Sequence, residues 1–210
     1  MKQTEGCCRL ADFGAELKDT ALAETVHFPL LDQQLQQMAP GSLVLLDLGG
    51  VDFMGYGYAK QTVVECVRRL QDGRYPLRAL LLGYDREDYA TRLEALDTAL
   101  AEFRLTMLLA LEGRAALSAL GYVQANRPFE GKREHQKRMK LLRVLNLMID
   151  RRELYTNEVA AQLELTLPNS NYLLGELETM RLVERLKEAS PTGGPIYLNR
   201  LLAPPPLAGA

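Results

Sequence analysis

Apolar positions follow two alternating rhythms through the first 123 residues of this chain. Residues 42–48 read Ser-Leu-Val-Leu-Leu-Asp-Leu, and residues 77–82 and 105–110 repeat that nearly unbroken apolar character at strand length. A strand without polar alternation is one buried on both faces, as in a parallel sheet. Between these runs the period lengthens to that of a helix. Ala59, Val63, Cys66, Val67 and Leu70 share one face of residues 57–70, and Leu93, Leu96, Leu100 and Phe103 share one face of residues 89–103. The run Asp85, Arg86, Glu87, Asp88 suits a helix start, because carboxylates favour the first turn. A short helix over residues 113–120 and an edge strand at Tyr122 and Val123 complete the expected series. Strands alternating with helices predict an α/β domain over residues 1–123, a sheet covered by helices.

The pattern changes after Val123. Residues 124–131, Gln-Ala-Asn-Arg-Pro-Phe-Glu-Gly, are polar and broken by proline and glycine, which marks a linker over residues 124–132. A helix over residues 133–149 then offers Met139, Leu142, Val144, Leu145 and Met148 for packing against the following helices or a second protomer. Next, Val159, Ala160 and Leu163 stand at helical spacing behind Thr156 as N-cap, with Glu158 and Glu164 outward. Leu165, Thr166, Leu167 and Pro168 supply a turn, since proline is tolerated only in a helix's first turn. A second helix starting near Asn169 carries the stripe Leu173, Leu174, Leu177 and Met180. Residues 182–186 alternate like a strand, residues 190–195 are rich in turn formers, and residues 196–198 form a return strand. Residues 202–210, Leu-Ala-Pro-Pro-Pro-Leu-Ala-Gly-Ala, continue no pattern and are expected to be a loose tail.

This series over residues 133–201, a turn between two short helices followed by a hairpin, resembles the winged helix-turn-helix domain of transcription regulators. The resemblance implies an α+β domain whose second helix is a recognition helix. Asn169, Ser170, Asn171 and Tyr172 then stand where base edges are met, with the two asparagines suited to adenine. Arg181, Arg185 and Lys187 would hold the phosphate backbone from the helix end and the wing.

A second resemblance lies upstream. The stretch from Leu46 to Ala59, Leu-Asp-Leu-Gly-Gly-Val-Asp-Phe-Met-Gly-Tyr-Gly-Tyr-Ala, is similar to the STAS domain of anti-sigma-factor antagonists and its STAS-like relatives. The resemblance implies a sensing or docking domain. In phosphorylatable members a serine follows Phe-Met at a helix N-terminus. Here Gly55, Tyr56, Gly57 and Tyr58 occupy that place, so no kinase switch carries over. The two glycines permit positive dihedral angles and close approach, and the two tyrosines suit packing or a partner, with a small anionic ligand as the alternative.

Composition narrows the choice of function. The chain has 210 residues, 47% hydrophobic and 25% charged, which excludes wholesale disorder. No apolar run approaches the roughly eighteen residues needed to span a bilayer. Charges interrupt residues 1–12, so a cytoplasmic location without membrane attachment is expected. Three cysteines, two of them adjacent, suit reduced thiols better than bridges or metal ligands. The net charge of -2 hides a basic stretch over residues 127–143, with Arg127, Lys132, Arg133, Lys137, Arg138, Lys140 and Arg143 against Glu130 and Glu134. Lys137, Arg138 and Lys140 are accordingly candidate phosphate contacts. Against this, the second helix carries Glu176 and Glu178 and no lysine or arginine between Pro168 and Met180.

Catalysis has little to draw on. His27 lies in an apolar, strand-like stretch and His135 in the basic helix, so a histidine-centred cluster is not expected. Asp47 and Asp52 have no nucleophile or phosphate loop beside them. Neither enzyme activity nor a cofactor or metal site is expected. Two readings remain: a DNA-binding transcription regulator, expected as a homodimer on duplex DNA, or an adaptor in which both domains bind proteins.

Overall fold

Three apolar runs form the middle of a five-stranded sheet in the computed structural model, which describes residues 5–85, 89–111, 117–124, 131–189 and 195–203. The chain divides into two compact units, one of Met1–Ala125 with Ala203–Ala210 and the other of Asn126–Leu202.

In the first unit β1 is Glu5–Arg9 and β2 the short Glu16–Leu17. A helical stretch follows, made of α1 Thr20–Leu22, a π-helical turn Ala23–His27 and α2 Phe28–Gln37. After β3 Leu43–Asp47 and β4 Phe53–Met54 comes a second such stretch: α3 Tyr56–Ala59, a π-helical turn Lys60–Val64 and α4 Glu65–Gln71. Then come β5 Ala79–Tyr84, α5 Tyr89–Arg92, α6 Glu94–Glu102, β6 Thr106–Leu111 and β7 Leu117–Gly121. The sheet order is β1-β3-β5-β6-β7, parallel except for β7, while β2 and β4 pair separately. The unit is therefore mixed α/β with a mostly parallel sheet. Strands added in one direction through right-handed crossovers place the intervening helices on a common face. Alternate strand residues Val44, Leu46, Leu80, Leu82, Met107 and Leu109 accordingly share one buried cluster with Leu31, Leu35, Val63, Val67, Leu96 and Leu100 from the helices.

Several expectations need correction. His27 is helical, its Nδ1 2.9 Å from the Tyr58 hydroxyl and its ring stacked on Phe13. Residues 117–121 form an antiparallel strand, not the end of a helix, and Tyr122 and Val123 lie buried beyond it in a turn. Residues 112–116, Arg86–Asp88 of the expected helix start, and 125–130 of the expected linker lie outside the described residues. In the helical stretch over residues 20–37, Ala23, Leu31 and Leu35 are buried at multiples of four residues, while Leu22, Val26 and Leu30 face outward.

Asp97 on α6 ties this unit to its last strand by accepting a 2.6 Å bond from the Gly121 N–H. Burial raises its pKa above the ordinary value, and the Gly121 bond only partly opposes this. The folded state thus holds the Asp97 proton more tightly than the unfolded chain, and the ionised side chain costs stability once pH exceeds the folded pKa. Asp97→Asn keeps an acceptor and removes the charge. Its thermal stability is expected to fall less than that of the parent as pH rises from roughly 4 to 7. Parallel melting curves would refute the assignment.

The second unit comprises α7 Lys132–Arg151, β8 Glu153–Tyr155, α8 Thr156–Gln162, α9 Leu167–Thr179, β9 Val183–Ala189 and β10 Pro195–Leu201. The sheet order is β8-β10-β9, antiparallel throughout. Leu141, Val144, Leu145 and Met148 of α7, Val159 of α8, Leu173, Leu174 and Leu177 of α9, and Val183 and Leu201 of the hairpin are all buried. Pro168 sits in the first turn of α9. Thr156 is not the cap of α8. The Glu158 carboxylate accepts from the Tyr155 N–H at 2.7 Å instead, and Thr156 lies buried. The expected wing turn, residues 190–194, is outside the described residues. Leu202, expected in the tail, is buried and donates its N–H to Leu182 O at 2.8 Å.

Candidate interaction surface

The outward face of α9 is built by exclusion. Leu173, Leu174 and Leu177 bury one side of the helix, which leaves Pro168, Asn171, Tyr172, Glu178 and Thr179 exposed on the other. Leu167 at its start is 54% exposed and Tyr172 is 50% exposed, high values for large apolar side chains. Helices α8 and α9 together carry Glu158, Glu176 and Glu178 and no lysine or arginine.

The basic side chains nearest this face are engaged inside the unit. Lys137 pairs with Glu176 at 2.8 Å and lies 5.3 Å from the centre of the Tyr172 ring. Burial pulls the Lys137 pKa down, but the Glu176 carboxylate and the Tyr172 hydroxyl outweigh it and hold it above its ordinary value. Burial likewise opposes Glu176's ionisation, yet Lys137 and Tyr172 hold its carboxyl below the usual range. Arg185 donates to Asn171 Oδ1, stacks over Tyr197 at 4.5 Å and approaches Glu178 at 3.9 Å.

Two of the expected nucleic-acid contacts are placed differently. Arg138 is 4% exposed and close to His135, and Ser170 is fully buried, so neither side chain faces outward. Asn169 is half-buried, whereas Asn171, Tyr172, Lys140, Arg181 and Lys187 are exposed. The structure thus brings Lys137, Asn171, Tyr172 and Arg185 together around α9.

Beside α9 runs a groove of about 440 Å³, lined by Thr156, Asn157, Leu167, Pro168, Asn171, Pro195, Ile196 and Tyr197. Of these, only Asn171 was a candidate from sequence. Apolar residues in a turn and at a strand start give no chemical signal, and only the approach of β10 to the starts of α8 and α9 makes them a surface.

In the first unit the segment after β4 is arranged by packing. Neither Gly55 nor Gly57 takes a positive φ. A Cβ on Gly57 would meet Thr20 Oγ1 at 2.6 Å, so this glycine serves the close approach of two helices. Tyr58 is 1% exposed, and burial raises its pKa. Tyr56 is 37% exposed and donates its hydroxyl proton to Glu102, and Phe53, three residues earlier, is exposed as well. Asp47 closes a turn by accepting from the Gly49 N–H at 2.8 Å.

Among the described residues there is no cluster of three or more side chains suited to hold a metal, and no helix long and apolar enough to cross a membrane. No protein-family model matches the chain, and no curated protein matches it in sequence.

Proposed function

We propose that this chain is a protein-docking adaptor, a STAS-like first unit joined to a winged helix-turn-helix second unit whose exposed α9 face meets a protein. The carrying observation is the lack of a free cation on that face: α8 and α9 contribute no lysine or arginine, and the neighbouring Lys137 and Arg185 are paired with Glu176 and Glu178 within the unit. Duplex DNA demands the opposite, because phosphate neutralisation supplies most of the affinity and arginine to guanine is the commonest specific contact. Exposed Leu167 and Tyr172 suit a protein partner, where aromatic and apolar anchors dominate the energy. On the first unit, Phe53 in β4 and Tyr56 just after it offer further exposed apolar surface.

DNA binding is the second reading. It is favoured by the order α7, β8, α8, α9 and a β9–β10 hairpin, and by exposed Lys140, Arg181 and Lys187. A photo-crosslinking residue placed at Tyr172 separates the two. Illumination in cells is expected to yield protein adducts at this position and none when the probe replaces the exposed Lys140. Nucleic-acid adducts at Tyr172 would reverse the assignment.

A further inference from the structure

The groove beside α9 says more about its occupant than that it is a protein. We infer that it takes a protein segment presenting apolar side chains next to a lysine or arginine. This rests on the protein-docking reading above.

The walls are apolar, from Leu167 and Pro168 on one side to Pro195, Ile196 and Tyr197 on the other, and about 440 Å³ accommodates a few side chains. The polar lining is largely committed. Asn171 Oδ1 accepts from Arg185, Asn157 Oδ1 from the Glu158 N–H at 3.0 Å, and Thr156 Oγ1 from Asn199 Nδ2 at 3.1 Å. A highly polar ligand therefore finds few unsatisfied partners, whereas an apolar one gains from leaving water.

Charge fixes the flank. Tyr155, which precedes the lining residue Thr156, gathers two carboxylates, donating its N–H to Glu158 at 2.7 Å and its hydroxyl proton to Glu188 at 3.0 Å. Glu188 is also the cross-strand neighbour of Ile196, and Glu158 adjoins Asn157, so both stand next to lining residues. Neither makes a salt bridge with a lysine or arginine among the described residues. Arg185, whose guanidinium lies over the Tyr197 ring, is countered by Glu178 at 3.9 Å, which leaves Lys187, the cross-strand neighbour of Tyr197, as the cation opposing them. Two carboxylates that outnumber it attract a basic side chain and repel phosphate or an acidic segment.

The test pans the full chain against random peptides displayed on phage, then titrates synthetic versions of the selected peptides and a mixed-sequence DNA duplex across a salt series. The expected peptides carry an apolar anchor beside lysine or arginine, and bind less tightly as salt rises. Leu167→Glu, at an exposed position, is expected to weaken them by about tenfold. The double variant Glu158→Gln, Glu188→Gln keeps the hydrogen-bond acceptors and is expected to remove most of the salt dependence. Unchanged melting temperatures show that both variants stay folded. Peptides that need Leu167 but carry neutral or acidic flanks overturn the inference and leave protein docking standing. Binding of the duplex with no peptide selected overturns both, and a chain that binds neither overturns the inference.

Discussion

Gly121→Ala is expected to destabilise the first unit by about 3 kcal/mol or more, far beyond an ordinary surface change. Gly121 ends β7 with φ of 96°, where a side chain is strained whatever the space. The space is also taken. An added Cβ would fall 2.3 Å from Leu105 O and 2.8 Å from Leu100 Cβ. Relief by backbone movement is blocked, because the Gly121 N–H donates to Asp97 at 2.6 Å and the next N–H, of Tyr122, donates to Leu105 O at 2.7 Å. Chemical denaturation followed by circular dichroism measures the loss. A change below about 1 kcal/mol would show that β7 does not end as described.

Asn199→Asp is expected to be the comparable lesion in the second unit. Asn199 is fully buried on β10, and its Nδ2 shares two protons among Leu154 O at 3.0 Å, Thr156 Oγ1 at 3.1 Å and Tyr197 O at 3.2 Å. It thereby fastens β8 and the start of α8 to the central strand. A carboxylate there faces two carbonyl oxygens with nothing to donate, so a loss of about 3–5 kcal/mol at neutral pH follows. Burial would raise the introduced carboxyl's folded pKa above its unfolded value. The deficit should therefore shrink as pH falls through the folded pKa. Asn199→Ala, which removes the Nδ2 donor from the same oxygens without adding charge, is expected to cost about 2 kcal/mol. Equal losses for the two variants at neutral pH would contradict the assignment.

How much of this was legible in the sequence depended on whether a residue's role was set locally. The apolar runs of β3, β5 and β6 and the stripe of α9 were readable, because burial on a regular element imposes a period. The helices expected over residues 89–103 and 133–149 end within two residues of those bounds, at Glu102 and Arg151, but the residues that stop the helices carry no sequence signal. Arg104, Arg152, Glu164 and Arg181 take positive φ just beyond α6, α7, α8 and α9, a role usually marked by glycine. In the helical stretch over residues 20–37 the buried stripe of Ala23, Leu31 and Leu35 is obscured by Leu22, Val26 and Leu30, which point to solvent. Strand β8 is only three residues long and owes its conformation to pairing with β10. At the candidate surface, the missing cations of α9 were visible in the sequence. The internal use of Lys137 by Glu176 and of Arg185 by Asn171 was not, since each pair brings residues together across different elements.

Fluorescence anisotropy of the purified chain with random and genomic duplex DNA over a salt series is the most direct measurement. An α9 face with no uncommitted cation predicts no saturable binding at low salt up to about 10 µM protein. Salt-sensitive binding at micromolar affinity, weakened by Arg181→Ala or Lys187→Ala, would contradict it and make the second unit a DNA reader.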